Sequence, residues 1–275
     1  MKYDILHRTR YNYISPVRDS FNDVRLQPMP IPEQTVESFL LKVLPAARLT
    51  HFKDFYSNWV NHFEITESHS YLVIEAQSRV DTHPPAPLPA EKLCSFELMR
   101  GAPSVERCFD YLQSSRFVEL TPDAWKLSLD AIDGTDDAWL AVLAMMKFVY
   151  TNLKYESNST HVHTHMSEVL QDRRGVCQDF AHVLIGLCRS LKIPARYVSG
   201  YLATEAASAT HAWVEVFVPG YGWRGLDPTH NCQISETYVK LGNGRDYSDV
   251  PPITGNYRGT LERKMEVEVK ITPVI

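Results

Sequence analysis

The sequence lacks the features that mark exported, membrane-spanning and nucleic-acid-binding chains. Its first residues contain no apolar stretch of the signal-peptide kind, and no uninterrupted apolar run is long enough to cross a bilayer. It has no segment rich in Lys or Arg, and its net charge of -5 provides no basic surface for nucleic acid or an anionic membrane. We therefore expect a cytoplasmic protein that binds neither partner.

Cysteine is scarce, and its spacing argues against a disulfide framework. The five cysteines are odd in number and include no Cys-x-x-Cys pair, which favours reduced thiols in a cytosol. Internal repeats are absent, and the low-complexity sequence is confined to the proline-rich residues 83–89. The 275 residues have ordinary globular composition and suffice for one large domain or two modest ones.

Strand patterns dominate the N-terminal third of the chain. They cover residues 3–13, 21–26, 36–44, 47–52, 59–65 and 71–80, and turn-prone breaks such as Ser15-Pro16 separate them. The pattern predicts an antiparallel β domain over residues 1–82. Prolines then make residues 83–90 extended and stiff, which predicts a linker.

The remaining residues, 91–275, mix helices with strands and predict a second domain of the α+β class. Helical patterns occur at 105–113, 123–131, 138–153, 167–171 and 177–191, and strands are expected at 195–202, 211–218 and 223–226. Near the C-terminus Met265, Val267, Val269 and Ile271 alternate with polar residues, which predicts a half-buried strand.

Cys177 is the candidate reactive atom because it opens the helix pattern at 177–191. Amide groups and the dipole at a helix N-terminus favour the thiolate, which is the nucleophilic form. The alternative is a small buried hydrophobe, the usual role of a free cysteine. Cys188 lies in the apolar stripe of the same pattern and is expected in the core.

Two downstream residues supply the groups that a thiolate nucleophile needs. His211 begins one predicted strand, and Asp227 ends the next. If these strands pair as a hairpin across the turn at 219–222, the start of one lies beside the end of the other. The pairing brings the imidazole and the carboxylate together, and predicts a triad of Cys177, His211 and Asp227.

The motifs around these residues resemble the transglutaminase-like superfamily. They are Gly-Val-Cys-Gln-Asp at 175–179, Ile-Pro-Ala-Arg-Tyr-Val-Ser-Gly-Tyr at 193–201, His-Ala-Trp-Val-Glu at 211–215 and Trp-x-Gly-Leu-Asp-Pro-Thr at 223–229. Residues 3–28 and 244–252 resemble the bacterial subgroup with its own N-terminal β region, whose members are classed as candidate cysteine proteases. The resemblance implies a papain-like core preceded by an antiparallel β domain.

The resemblance also implies a cysteine mechanism without a cofactor. The thiolate attacks an amide carbonyl, His211 protonates the leaving nitrogen, and Asp227 orients the imidazole. The backbone N–H of Cys177 is the first expected oxyanion donor, and the Tyr155 hydroxyl is the second unless that ring simply packs. The candidate substrate-cleft residues are Trp213, Arg245, Asp246 and Tyr247.

The expected substrate is a peptide, a protein or another molecule that contains an amide. We expect hydrolysis because no dedicated amine pocket or calcium loop is recognisable, but transglutaminase-type transfer to an amine stays open. A non-catalytic peptide-binding module is a further alternative. A zinc site at His161, His163 and His165 is disfavoured, because no cysteine or carboxylate has a spacing that completes it.

Overall fold

The computed structural model describes residues 1–88, 94–157, 159–203, 208–260 and 262–274. The strands are β1 (Lys2–Val24), β2 (Gln34–Leu44), β3 (Leu49–Lys53), β4 (Trp59–Ile65), β5 (His69–Thr82), β6 (Lys154–Tyr155), β7 (Arg174–Gly175), β8 (Ala195–Ala203), β9 (Ser208–Val218), β10 (Gly222–Asp227), β11 (Cys232–Gln233), β12 (Tyr238–Gly244), β13 (Ile253–Arg258) and β14 (Arg263–Val274). The helices are α1 (Phe96–Gly101), α2 (Pro103–Glu106), α3 (Pro122–Ala131), α4 (Ala138–Asn152), α5 (Met166–Asp172) and α6 (Cys177–Ser190), with short 3-10 helices at Phe109–Leu112 and Tyr247–Asp249. The predicted α+β class is confirmed. In the part of the chain that the structure describes, no helix is both long and apolar enough to cross a membrane.

The long strand β1 organises the first sheet. Its first half pairs with β5 and β14, and its second half pairs with β4 and β13, always antiparallel. The predicted break at Ser15-Pro16 is wrong, because the strand continues through it. The β1–β5 register shifts between Asn12 and Val17 instead. Proline has no N–H for a ladder, so a shift in register with a change of partner accommodates it.

The C-terminal strands return to this first sheet. β13 and β14 both pair with β1, so residues 253–258 and 263–274 complete the N-terminal sheet, although the sequence assigned them to the second domain. The predicted β14 exists, but its apolar face is only partly covered. Ile271 is buried, whereas Met265 and Val267 are 56% and 51% exposed.

The predicted linker begins where β5 ends. Residues 83–88 have no regular structure, and the Ala86 carbonyl accepts a hydrogen bond of 3.0 Å from Arg224 Nη1 on β10. Pro89 and Ala90, which complete the predicted linker, lie outside the described residues.

The second sheet supports the helix that carries Cys177. Its order is β11-β10-β9-β8-β12, and α6 packs on β8 and β9. Apolar side chains of β9, among them Val214 and Val216, share a core with those of α6. Cys188 is fully buried in this core, as the apolar stripe predicted.

At the start of α4, Asp137 accepts hydrogen bonds from the N–H groups of Trp139 and Leu140.

Two amide side chains join the sheets by binding the outer edge of β12. Gln34 accepts a hydrogen bond from Lys240 N (2.8 Å) and donates one to Lys240 O (2.9 Å). Asn58 makes the equivalent pair with Asn243, both bonds being 2.8 Å long. The strand edge is thereby satisfied and cannot pair with another chain, and β12 is held at a fixed position against the first sheet.

Gly200 in β8 provides a test of this packing. A Cβ atom there would lie 2.2 Å from the carbonyl oxygen of Val239 and 2.4 Å from the ring of Trp213. We expect Gly200→Ala to lower the free energy of unfolding by about 2 kcal/mol because neither neighbour can move freely. Urea unfolding monitored by circular dichroism measures the change.

The matched control is Gly101→Ala, because nothing lies within 4 Å of the added atom. We expect that variant to stay within about 0.5 kcal/mol of the wild type. Equal stabilities for the two variants would contradict the close packing at Gly200.

Candidate active site

Cys177 is the first residue of α6 and is partly exposed. The residue before it, Val176, has extended backbone, and its N–H donates a hydrogen bond of 2.7 Å to Asp179 Oδ2. Thr160 donates a second bond of 2.6 Å to the same oxygen. A Cβ atom on residue 175 would lie 2.6 Å from Asp179 Cβ, which explains the glycine there. Asp179 therefore fixes the start of the helix.

His211 and Asp227 meet on a hairpin, as the sequence predicted. β9 and β10 pair antiparallel, with Val218 opposite Gly222 at the turn and Val214 opposite Leu226 four residues farther along. Gly222 has a φ of +75°, which a residue without Cβ adopts at little cost in the turn. At the other end, His211 Nε2 lies 2.7 Å from Asp227 Oδ2.

The imidazole of His211 also contacts the thiol of Cys177. Cys177 is close enough to contribute, after Asp227, to the raised pKa of His211, and because Asp227 occupies Nε2, Nδ1 is the ring nitrogen left for the sulfur. Burial lowers the pKa of His211, but the hydrogen bonds to Asp227 and Cys177 outweigh it and raise that pKa to about 9. The structure therefore favours an imidazolium at neutral pH.

This shift in the pKa of His211 links the charge to folding. The folded value of about 9 exceeds the ordinary value of 6.5. The charge therefore stabilises the folded protein fully below pH 6.5, and that contribution is lost as the pH rises through about 9.

Asp227 is fully buried and accepts several hydrogen bonds. Its Oδ2 accepts from Tyr238 (2.8 Å) and His230 Nδ1 (2.7 Å) besides His211, while its Oδ1 accepts from the N–H of Thr229 (2.8 Å). Burial raises the pKa of Asp227, but the hydrogen bonds from His211, His230 and Tyr238 reverse the effect and lower it to about 2. The carboxylate therefore stays ionised although it is inside the protein.

Sequence reasoning missed two of these partners. His230 stands three residues after Asp227, so a search for polar side chains in the turn after β10 would have found it. Tyr238 belongs to β12, whose place beside β8 is set by long-range pairing. No local pattern in the sequence points from Tyr238 to Asp227.

Tyr155 lies beside the nucleophile. β6 pairs in parallel with β7, which sets Tyr155 opposite Gly175, two residues before Cys177. The ring is 52% exposed and contacts Phe180 edge-on at a centroid distance of 6.2 Å. Partial burial and the nearby Cys177 raise the pKa of the Tyr155 hydroxyl. The structure thus brings the predicted second oxyanion donor close to the thiol.

Two predicted cleft residues are inside the protein, where they cannot line an open cleft. Trp213 is 1% exposed, and its ring stacks against His211 and meets Tyr238 edge-on. Asp246 is fully buried, and its carboxylate accepts hydrogen bonds from Phe117 N (2.8 Å) and Ser248 N (2.8 Å). The sequence could not show that these side chains are buried, because their burial depends on segments that are far away in the chain.

Arg245 and Tyr247 remain partly exposed. Arg245 makes a two-pronged ion pair with Asp249, with both hydrogen bonds 2.9 Å long. The ring of Tyr247 meets Tyr197 edge-on at 6.3 Å, and its N–H donates to Nε2 of the buried His182 at 3.2 Å. Tyr197 itself lies near Cys177, and the charge of a thiolate there contributes to the raised pKa of Tyr197 after the larger effect of burial.

The structure does not single out His161, His163 and His165 as residues that could share a metal ion. His165 instead hydrogen-bonds Glu119. Within the described residues, the side chains close enough to share a metal ion are His211, Asp227 and His230, whose ligand atoms lie within 4.8 Å of one another. In the structure both histidines are hydrogen-bonded to Asp227.

Two family models match separate parts of the chain. Residues 126–228 match the model described as the transglutaminase-like superfamily, and residues 3–81 match the bacterial transglutaminase-like N-terminal region. The first match includes the cysteine, histidine and aspartate of the site. A second, local match is to a protein-glutamine gamma-glutamyltransferase of Pseudomonas aeruginosa, 31% identical over 102 residues, which are 32% of this chain and 15% of that protein.

Two further proteins are similar over nearly their whole length. An uncharacterized protein of Mycobacterium leprae is 32% identical over 98% of this chain and 97% of its own. The crystal structure of a candidate cysteine protease from Cytophaga hutchinsonii covers 100% of this chain and 92% of its own, with 26% identity and a TM-score of 0.80. The chain therefore belongs to the transglutaminase-like superfamily and carries its bacterial N-terminal region.

Proposed function

We propose that the protein is a thiol-dependent amide hydrolase that works through a thioester acyl-enzyme. The observation that carries this proposal is the position of the His211 imidazole, which hydrogen-bonds the carboxylate of Asp227 and lies near enough to the thiol of Cys177 for that group to raise its pKa. A cysteine thiolate beside an imidazolium is the nucleophile of cysteine hydrolases. Membership of the superfamily supports the same chemistry.

The first step is attack by the thiolate of Cys177 on the amide carbonyl carbon. The carbonyl oxygen gains a negative charge, which needs hydrogen-bond donors at the reaction centre. The N–H of Cys177 is available as one donor, because the first N–H groups of a helix have no acceptor within it. The hydroxyl of Tyr155 is the second proposed donor.

The next steps depend on the proton that His211 holds. Nδ1–H of His211 donates its proton to the leaving nitrogen, and the carbon–nitrogen bond breaks. The amine departs, and the acyl group stays on Cys177 as a thioester. The neutral imidazole then takes a proton from water, whose oxygen attacks the thioester carbon. Release of the carboxylic acid restores the thiolate of Cys177. Throughout, Asp227 keeps the imidazole oriented.

Acyl transfer to an amine is the second candidate function. The same thioester passes to a lysine-type amine if that amine reaches the carbonyl before water does. The local similarity to a protein-glutamine gamma-glutamyltransferase favours this candidate and makes a glutamine carboxamide a suitable test substrate. A non-catalytic peptide-binding module would not need the ordered pair of His211 and Asp227.

The cytoplasmic location stays a prediction that cell fractionation tests.

A glutamine-containing peptide, incubated with and without an excess of a primary amine, separates these functions. We expect mass spectrometry to detect the hydrolysed acid as the main product under both conditions. Cys177→Ala should lower the rate by at least about 1,000-fold because it removes the nucleophile. Cys94→Ala is the control, since Cys94 is also a free thiol and its sulfur contacts the Ser95 carbonyl instead of the triad.

An amine adduct as the main product would replace hydrolysis with acyl transfer. Equal turnover by the wild type and Cys177→Ala would refute the cysteine mechanism in both forms. A folded wild type that turns over neither this peptide nor a panel of other peptide amides would favour the binding module.

Tyr155→Phe tests the second oxyanion donor, because it removes the hydroxyl and keeps the ring against Phe180. We expect kcat to fall about 100-fold while KM changes little, since the hydrogen bond forms mainly in the transition state. Tyr150→Phe is the control, because Tyr150 is similarly exposed at 48% but lies on α4. If Tyr155→Phe keeps the wild-type kcat, the role of the Tyr155 hydroxyl is disproved.

A further inference from the structure

Asp179 joins two segments of the chain through a single oxygen atom. Its Oδ2 accepts hydrogen bonds from the N–H of Val176 (2.7 Å) and from the hydroxyl of Thr160 (2.6 Å). The side chain is fully buried, so water does not compete for these bonds. The segment that leads to Cys177 and the segment that follows Tyr155 are therefore tied together at this atom.

The contacts that hold Tyr155 itself are few. β6 consists of Lys154 and Tyr155 alone, and it forms a two-stranded sheet with β7. The backbone hydrogen bonds on either side of Tyr155 come from Lys154 N (2.8 Å) and Glu156 N (3.0 Å), and their acceptors are the carbonyl oxygens of residues 173 and 175. A two-stranded sheet of this length has little stability of its own. A further link to α6 therefore contributes to holding Tyr155 in place.

Asp179 also packs against the strand residue that lies opposite Tyr155. Gly175 pairs with Tyr155 in the β6–β7 ladder, and a Cβ atom on residue 175 would lie 2.7 Å from Asp179 Oδ2. The same carboxylate thus contacts the partner strand of Tyr155 directly and, through Thr160, the segment that follows Tyr155. A change at Thr160 is passed to Tyr155 by this route.

The chemical nature of Asp179 points beyond helix capping. Its second oxygen, Oδ1, is buried and makes no hydrogen bond within the described residues. Burial raises the pKa of the carboxyl group, and the hydrogen bonds from Thr160 and Val176 oppose that rise only in part. A serine or threonine at position 176 would cap α6 without burying a charge. A costly group in place of a simpler one is typical of functional sites.

We propose that Thr160 is a positioning residue, which acts through Asp179 to hold the hydroxyl of Tyr155 in the oxyanion site. The other donor of that site is the N–H of Cys177, so this inference rests on the function proposed above. An oxyanion hole stabilises charge only when its donors are held in advance around one point. A displacement of about 1 Å lowers the rate by as much as about 100-fold.

Thr160→Val tests the proposal, because valine has the shape of threonine and lacks the hydroxyl. With the peptide amide that the wild type turns over best, we expect kcat to fall about tenfold while KM changes little, since the contact acts on the transition state. Thr160→Ser keeps the hydroxyl and should stay within about twofold of the wild-type kcat. Thr151→Val is the control, because that hydroxyl binds carbonyl groups of its own helix, α4.

A second background separates the positioning of Tyr155 from a general effect on the fold. In Tyr155→Phe, where the positioned hydroxyl is absent, Thr160→Val should lower kcat by less than about twofold. An equal loss in both backgrounds would overturn the proposal, because the effect would then act on Cys177 or on α6 as a whole. A wild-type kcat in Thr160→Val, or a loss that Thr160→Ser shares, would also overturn it.

Fluorine NMR tests the same contact without turnover. The 14 tyrosines are labelled as 3-fluorotyrosine, and Tyr155→Phe assigns the signal of Tyr155. We expect Thr160→Val to shift that signal, while Thr160→Ser and Thr151→Val leave it in place. A wild type that turns over no amide would refute the proposed function. A wild type that turns over an amide, with a Tyr155 signal that Thr160→Val does not move, would overturn the positioning role alone.

Discussion

The hydrogen bonds that converge on Asp227 are the interaction on which the site depends. A fully buried carboxylate would normally take up a proton, because burial disfavours its charged form. Donors from β9, from β12 and from the turn after β10 keep it ionised and lower its pKa to about 2. The ionised group in turn holds a proton on His211. The imidazolium proposed to activate Cys177 thus depends on a carboxylate that is fully buried.

The rest of the fold serves to bring these donors together. The β9–β10 hairpin sets His211 beside Asp227, and β12, which pairs with β8 and is bound at its outer edge by Gln34 and Asn58, supplies Tyr238. The N-terminal sheet therefore contributes to the site without lending it a side chain. Helix α6, packed on β8 and β9, delivers Cys177 from the other side.

The parts of this arrangement that are encoded locally could be predicted from the sequence. The register of the hairpin follows from counting residues back from its turn, and the position of Cys177 at a helix start follows from the apolar stripe after it. Tyr238, the continuity of β1 through Pro16 and the return of β13 and β14 could not be predicted in this way, because each depends on pairing between distant segments. The same limit explains Trp213 and Asp246, whose side chains looked suited to a cleft and are buried.

The central claim is that Asp227 holds a proton on His211 beside the thiol of Cys177. Its most direct test is an NMR titration of the His211 imidazole in the wild type and in Asp227→Asn. We expect a midpoint near pH 9 in the wild type and a fall toward the ordinary value of 6.5 in the variant, because the asparagine carries no charge. A wild-type midpoint near 6.5, or one that Asp227→Asn does not move, would contradict it.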